Sequence, residues 1–428
     1  MADTSSAPRH PSIDARSLIA WPGYRSGLAI ESIDRAVIGA IAKPLAHAIH
    51  EPTQIDEALK AGMGLLLPAQ SWRNQLPTDH PKRQGTFATL PIHRPGFEFK
   101  PDEGGRSAAF LERYAADHIE SEIGGRATLL TTPAHVLEDE CRTGRQDELL
   151  LARLAAEEFQ ARQASFASGP GASTRELYAT LVVQGRHARN VDVMDWLVRA
   201  YAALEVSGYL VIAANYGGSG VQTAGYAELA LRLQASTGRP VVVACVGAVH
   251  LALMASGVAA TWAGLHGMSF DFPPRQLPTR EAAQAGGGAS VVSIDEDDDA
   301  KDEKGLGVFV YHRDALGNVG QLGRKGEAAR IAIFQNRPCL CGFHPPRVPP
   351  TERKAIVRHN AWSVAADARE LIALDVIEAE KRLAEKVHHA ARMREFLRMG
   401  KVSPGFLSVA RTARRLRAAA SDSVEEQS

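Results

Sequence analysis

The sequence predicts an α/β fold: a TIM-like (β/α)8 barrel carrying a C-terminal metal-binding module and trailing helices. Three observations lead there. Short, continuously apolar runs alternate with helical patterns seven or eight times along the chain; that rhythm belongs to strands buried on both faces of a parallel sheet with helices outside. At 428 residues the chain is long enough for one large barrel. A doubly wound sheet is the runner-up, but no glycine fingerprint for a dinucleotide follows any early strand.

In chain order, residues 1–20 are rich in Ser, Ala and Pro and read as a disordered arm. The barrel is expected over 21–280. Its candidate strands are Ala36–Ile41, Gly64–Leu67, Ala127–Thr131, Ala179–Gln184, Gly208–Ala213, Pro240–Cys245 and Val258–Ala263. The clearest helices lie at Asp147–Ala164, Val191–Leu204 and Gly225–Ser236. Residues 281–305 break the rhythm: Gly286-Gly-Gly288 leads into Asp295-Glu-Asp-Asp-Asp299, which reads as a solvated, mobile insertion. The stretch 306–375 completes the barrel and holds the metal module. Residues 376–428 form a helical basic tail with an acidic, disordered end from Ser421. Arg392 to Arg417 holds eight Arg or Lys against the single acid Glu395. Such a run is either a solvated helix face or a phosphate-contacting surface.

Composition excludes several classes. Hydrophobic content of 45% and charged content of 23% are ordinary globular values, and the formal net charge is zero. Nucleic-acid binding would therefore need a local basic patch. Four cysteines (Cys141, Cys245, Cys339, Cys341) are too few for a disulfide framework in so long a chain. The polar N-terminus is no secretory signal, and no apolar run reaches the ~18–20 residues needed to span a bilayer. A cytoplasmic location and no membrane partner are expected, and a homodimer is compatible with the sequence.

The most informative stretch is Cys339-Leu-Cys341-Gly-Phe-His344, followed by His359-Asn360. Two thiols one residue apart, a histidine three further on and another fifteen later make a four-ligand set for Zn2+, which favours tetrahedral thiolate and imidazole ligands. His359 is expected at the start of a helix whose apolar face holds Ala361, Val364, Ala365, Ala368 and Leu371. Without a metal the same residues would be two buried thiols and two surface histidines.

Around this knot stand Tyr311-His-Arg-Asp-Ala-Leu-Gly-Asn318, Phe334-Gln-Asn-Arg-Pro-Cys339 and Arg358-His359-Asn360-Ala-Trp362. Together they resemble the barrel end of the tRNA-guanine transglycosylases, particularly the archaeosine type. The resemblance implies a zinc site of three cysteines and one histidine; here His344 stands in the place of the third cysteine. It extends to Val183-Gln184-Gly185 and to Gly247-Ala248-Val249-His250, and covers about Ala179 to Leu371. It implies a protein that acts on nucleic acid, either an altered transglycosylase exchanging bases or a relative that binds tRNA or DNA without forming a covalent intermediate. The departures are at the chemistry. The family's nucleophilic aspartate should fall near Trp262, its second essential aspartate after Gly64–Leu67, and its base-receiving glycine pair near Ile212-Ala213-Ala214. The chain gives Thr261-Trp262-Ala263, Pro68-Ala69-Gln70-Ser71 and alanines. Covalent base exchange needs a carboxylate, and Asp271 is the nearest acid downstream.

In a barrel, chemistry sits at the C-terminal ends of the strands. Polar residues gather there: Gln184, Gly185, His135, His187 and Asn215 as substrate-binding candidates, with His250, His266 and Asp271 as catalytic ones. Asn215 would also serve as a helix cap and Asp271 as a turn residue. His135, His187, His250 and His266 could instead converge on a second metal. A histidine- or metal-dependent barrel enzyme acting on a small molecule is the competing reading.

Overall fold

The computed structural model describes residues 16–22, 30–76, 80, 83–99, 106–136, 142–167, 175–214, 220–244, 249–265, 309–321, 327–399, 401–403 and 405–425. Eight parallel strands close into a barrel in simple sequence order. They are β1 (Ser17–Trp21), β2 (Ile38–Ala42), β3 (Gly64–Leu66), β4 (Leu129–Thr131), β5 (Glu176–Gln184), β6 (Gly208–Ala214), β7 (Val241–Ala244) and β8 (Ala260–Gly264). β1 closes the ring against β8, with Ser17 opposite Ala260 and Trp21 opposite Gly264. Four of the five residues of the first strand therefore lie inside the segment expected to be a disordered arm. Ser17-Leu-Ile-Ala-Trp21 is short and set among polar residues, and only the 3-10 turn Ile30–Ser32 is described before β2. Its apolar residues are buried because closure supplies a neighbour on each side.

Strand alternation divides the buried residues into two shells. Ile19, Trp21, Ala40, Ala42, Leu66, Leu129, Tyr178, Val182, Leu210, Ile212, Val242, Ala244, Ala260 and Trp262 form the interior cluster. Small residues on β2, β7 and β8 leave volume for the bulky ones, and Trp21 and Trp262 stack at 4.9 Å between centroids, 17° from parallel. Gly208 serves the same packing: a Cβ there would come within 2.5 Å of the Tyr178 ring and 2.7 Å of the Pro240 carbonyl oxygen.

The other strand faces pack against helices α1 (Leu45–Ala48), α2 (Pro52–Lys60), α3 (Ala108–Gly124), α4 (Arg142–Ala167), α5 (Val191–Ala202), α6 (Gly220–Thr237) and α7 (His250–Ala255). After β8 come a two-stranded antiparallel sheet, β9 (Phe309–His312) with β10 (Gly317–Gln321), then α8 (Glu327–Asn336), the Cys-rich turn and α9 (Arg353–Ile372). Helix α9 packs on β1 and α7 and so fills the place of the eighth barrel helix. The metal module is thus inserted between the last strand and the last helix. Arg16, just before β1, donates to the carbonyls of Ile372 and Leu374 at the end of α9, which ties the helix to the closing strand.

Helix α9 starts at Arg353 and ends at Ile372; after the break at Ala373–Leu374, Asp375 caps α10 (Val376–Phe396) by accepting from Glu378 N at 2.9 Å. Helix α11 (Gly405–Glu425) packs along α6. It runs through Ser421 to Glu425, four residues past the start of the end expected to be disordered. The acidic, glycine-rich stretch 281–305 lies outside the described residues.

Candidate functional site

The four sequence-predicted ligands come together. The candidate ligand atoms of Cys339, Cys341, His344 and His359 all lie within 4.8 Å of one another, and among the described residues this is the one such metal-capable group. Nε2 of His344 is 3.0 Å from Nδ1 of His359, which is 3.4 Å from the Cys339 sulfur. Ligand atoms of a tetrahedral site with bonds of about 2.0–2.3 Å stand roughly 3.3–3.8 Å apart; the four atoms here are close enough to share one ion, within a spread of 4.8 Å.

The backbone builds this cage. Gly342 adopts φ +77°, a conformation costly for other residues, and turns the chain between the second thiol and His344. Cys341 N–H donates to the Cys339 sulfur and Phe343 N–H to the Cys341 sulfur, each at 3.4 Å. Both imidazoles are oriented by backbone carbonyls. Nδ1–H of His344 reaches the Val348 oxygen at 2.7 Å, and Nε2–H of His359 reaches the Tyr311 oxygen at 2.7 Å. These bonds leave Nε2 of His344 and Nδ1 of His359 as lone pairs facing the thiols, with the other nitrogen of each ring held by a backbone carbonyl as in metal-binding histidines. The hydrogen bond from the Cys339 thiol holds the Cys341 thiol well below the ordinary range, with His344 and His359 adding to it. Burial pulls the His344 imidazole down, but the bond and charge of Cys341 outweigh it and its pKa is raised. The lowered Cys341 thiol fits a thiolate ligand, and a metal would have to displace the proton that His344 holds.

His359 sits in the second turn of α9, inside the helix and not at its start. That position serves the barrel. The next residue, Asn360, donates to Leu265 O at the end of β8 (2.9 Å) and accepts from Tyr311 N (2.8 Å). Deeper, Asp367 is fully buried and accepts from the Tyr311 hydroxyl, Arg313 Nε and Lys386 at 2.8–3.0 Å. Metal cluster, hairpin, α9 and α10 are therefore one unit.

The barrel mouth holds no carboxylate at either position where the resemblance expects one. Trp262 is 1% exposed in the interior cluster, and a buried indole can neither attack an anomeric carbon nor leave space for a neighbour that does. After β3 stands Gln70, with φ 55° and ψ 49°. A left-handed backbone costs a non-glycine residue roughly 1–2 kcal/mol. Its neighbours hold it there: Ala69 N donates to Glu122 (3.1 Å), Ala69 O accepts from His93 (2.8 Å), and the Ser71 hydroxyl is bonded to both N and O of Ala134 (2.7 and 2.9 Å).

This loop rests on a buried polar layer that sequence reading missed except for His135. Glu122 of α3 accepts from Thr131 N and the Thr131 hydroxyl at the end of β4 (2.6 and 2.5 Å). Gln75 and Val136 exchange two hydrogen bonds (2.9 and 2.6 Å). His135 does not face a substrate. Its Nδ1 meets Glu148 of α4 at 2.5 Å, its Nε2 meets the Tyr114 hydroxyl of α3 at 2.9 Å, and Phe99 stacks on its ring at 3.7 Å. All three polar members are at least 97% buried, and burial pushes the Tyr114 phenol above its ordinary range. The trio is a closed circuit locking the ends of β3 and β4 to their helices.

The other candidates divide. Gln184 ends β5 on the same face as Tyr178 and Val182, at the interior rim of the mouth. Gly185 follows in close contact with Gln222, whose amide nitrogen a Cβ would approach to 2.5 Å. His187 lies in the turn His187–Arg189 and His250 opens α7; both are buried, and neither joins a second metal cluster with His135 among the described residues. His266, Asp271 and Asn215 lie outside the described residues.

In the basic tail, Arg415 pairs with Glu228 of α6, and Arg414 and Arg417 with Glu380 of α10. Arg411 is exposed on the same helix. No helix among the described residues is long and apolar enough to cross a membrane.

A comparison with protein-family models finds no match for the chain, and a comparison with curated proteins finds none.

Proposed function

We propose that this chain is a zinc-stabilised barrel of the tRNA-guanine transglycosylase type that binds nucleic acid, and that it does not exchange bases through a carboxylate at the ends of β3 and β8. The observation that carries the reading is the placement of the Cys2His2 cluster between the eighth strand and the eighth helix, with Asn360 beside the ligand His359 bonded to the end of β8. Two sulfur and two nitrogen donors gathered within 4.8 Å favour Zn2+ over the hard cations, which take oxygen. Zinc is structural in this reading, since all four ligands come from the protein and a catalytic site keeps a position open.

The mouth supports binding without covalent transfer. Glutamine and tryptophan occupy the places where acids would be needed. The buried, internally bonded His135 disfavours the competing reading of a histidine-dependent enzyme for small molecules.

The test has two arms. Electrophoretic shift of tRNA and of DNA by the purified protein, repeated across salt concentrations, is expected to show binding that weakens with salt, because phosphate contacts release counterions. Incubation with tRNA and radiolabelled guanine, followed by a denaturing gel, is expected to show neither incorporation nor a covalent complex. Incorporation abolished by Asp271→Asn would refute the non-covalent part and identify the nucleophile. Absence of any salt-dependent binding would refute the nucleic-acid part.

A further inference from the structure

We propose that Cys339 and Cys341 are a reversible oxidation site, at which a peroxide joins the two sulfurs as a disulfide and the bound metal is released. The proposal rests on the zinc reading above, and its two halves, the link and the release, are measured separately.

Three features of the turn point to it. First, the two thiols are already gathered. Their sulfurs lie within 4.8 Å of each other. The backbone N–H of Cys341 donates to the Cys339 sulfur at 3.4 Å, so the turn folds the first sulfur back over the second residue. A disulfide bond of about 2.05 Å then needs side-chain rotation and a small closure of the turn. Second, a small molecule can reach the pair. Cys339 and Cys341 are 8% and 9% exposed, and Leu340 between them is 81% exposed, so the leucine side chain projects into solvent and does not cover the sulfurs. On the other side of Cys341, a Cβ added at Gly342 would meet no atom within 4 Å. Third, the pair is all the sulfur the cluster has, since its other two ligands are imidazoles. One disulfide therefore removes both thiolates together. Only His344 and His359 remain, fewer than the three protein ligands that even an open catalytic zinc site keeps.

The chemistry balances with hydrogen peroxide as the oxidant. The Cys341 thiolate, on the open side of the turn, attacks one peroxide oxygen. The O–O bond breaks, the departing hydroxide takes a proton and leaves as water, and Cys341 becomes a sulfenic acid. The Cys339 thiolate then attacks the Cys341 sulfur. The S–S bond forms, the S–O bond breaks, and the second hydroxide takes a proton and leaves as water. The sulfur pair has lost two electrons and the peroxide has gained them. A disulfide closing so short a stretch of chain is strained, and strained disulfides are the ones that thiol reductants readily reverse. The barrel feels the change, because His359 and Asn360 bond to Tyr311, and Asn360 bonds to Leu265 O at the end of β8.

The experiment uses the full-length protein loaded with one Zn2+ per chain. Hydrogen peroxide is added in steps, released zinc is followed with a chromogenic chelator, and peptides are mapped by mass spectrometry after alkylation of free thiols. The expected product is a peptide holding Cys339 and Cys341 that is two hydrogens lighter and not alkylated. One zinc should leave for each such link, and dithiothreitol with Zn2+ should restore the bound metal. Cys339→His keeps four metal ligands and removes the partner thiol. With excess peroxide its Cys341 should advance to sulfinic acid, which dithiothreitol does not reverse. Full recovery of the thiol in that variant overturns the proposal. So does a link from either thiol to Cys141 or Cys245 in place of the expected one, sulfinic acid as the first product in the unmodified protein, or zinc retained on a linked chain. A chain that takes up no zinc refutes the zinc reading and the release with it; the presence or absence of the link under peroxide then decides the thiol pair on its own.

Discussion

Replacing Glu122 by alanine is expected to cost roughly 4 kcal/mol of stability, and the number can be built from the contacts. The carboxylate accepts from Ala69 N (3.1 Å), Thr131 N (2.6 Å) and the Thr131 hydroxyl (2.5 Å), and lies 3.2 Å from Nε2 of His118. It is 0% exposed, so water does not replace it without opening the layer. Alanine leaves two buried backbone N–H groups without an acceptor, each costing about 1–3 kcal/mol; the hydroxyl can rotate to another partner and adds little. Glutamine keeps one acceptor oxygen but turns an NH2 toward a remaining donor, and should lose about half as much. The assay is urea unfolding of the three proteins, paired with hydrogen exchange of the Ala69 and Thr131 amides, which should accelerate in the alanine variant. A loss under about 1 kcal/mol, with both amides still protected, would refute the view that Glu122 joins the ends of β3 and β4.

Other expectations follow from the metal module and the tail. Metal analysis of the purified protein should find one zinc per chain, and His359→Ala should release it, because that ligand alone comes from α9; a chain without bound metal at equimolar level would count against the site. Chelation should also loosen the β9 hairpin, since His359 and Asn360 both bond to Tyr311, and faster exchange of the Tyr311 amide would register it. Substituting Arg411, Arg414, Arg415 and Arg417 with alanine should weaken nucleic-acid binding and flatten its salt dependence. An unchanged slope would mean that the ion pairs of Arg414, Arg415 and Arg417 with Glu380 and Glu228 are their whole role.

What the sequence disclosed depended on how local the determinants were. The metal cluster was legible because three ligands fall within six residues, and a Cys-x-Cys turn constrains its own geometry. Strands β2 to β8 were legible because parallel strands buried on both faces read as unbroken apolar runs. β1 was not, since five residues carry little pattern and their burial comes from pairing with β8, which lies more than 240 positions away. Helix α3 was not singled out either, although it carries Tyr114, His118 and Glu122. Each of these acts on a partner from another element, Tyr114 on His135, and His118 and Glu122 on Thr131. A histidine at a strand end can face the mouth or the surrounding helices. His135 faces the helices because Glu148 and Tyr114 bind both its nitrogens, information that only the fold brings together.

His93 supplies a further check, since its protonation couples the mouth to stability. Its ring is 4% exposed, with Nε2 2.8 Å from Ala69 O and Nδ1 2.7 Å from Asn74 Oδ1. Two oxygens facing two ring nitrogens would suit an imidazolium. Burial opposes the charge, however, and Arg73, Arg83 and His118 add positive charge nearby; together they outweigh the bond to Ala69 and bring the pKa down to about 3. The neutral ring keeps the Nε2–H bond to Ala69, and Asn74 holds its orientation because its NH2 is committed to Ile92 O and the Tyr114 hydroxyl. The sign then follows. The unfolded chain takes up a proton near pH 6.5 and the folded chain does not, so the stability contributed is complete above that pH and is lost as pH falls from about 6.5 toward 3. At pH 5 the loss from this one group is roughly 2 kcal/mol, from 1.5 pH units at about 1.4 kcal/mol each. Urea midpoints at pH 7 and pH 5 for the protein and for His93→Gln isolate it, because any acid effect on the metal cluster is common to both. His93→Gln should be less stable at pH 7 yet lose about 2 kcal/mol less between the two pH values. Equal losses would mean that the two oxygens win, and that the folded protein holds His93 as an imidazolium.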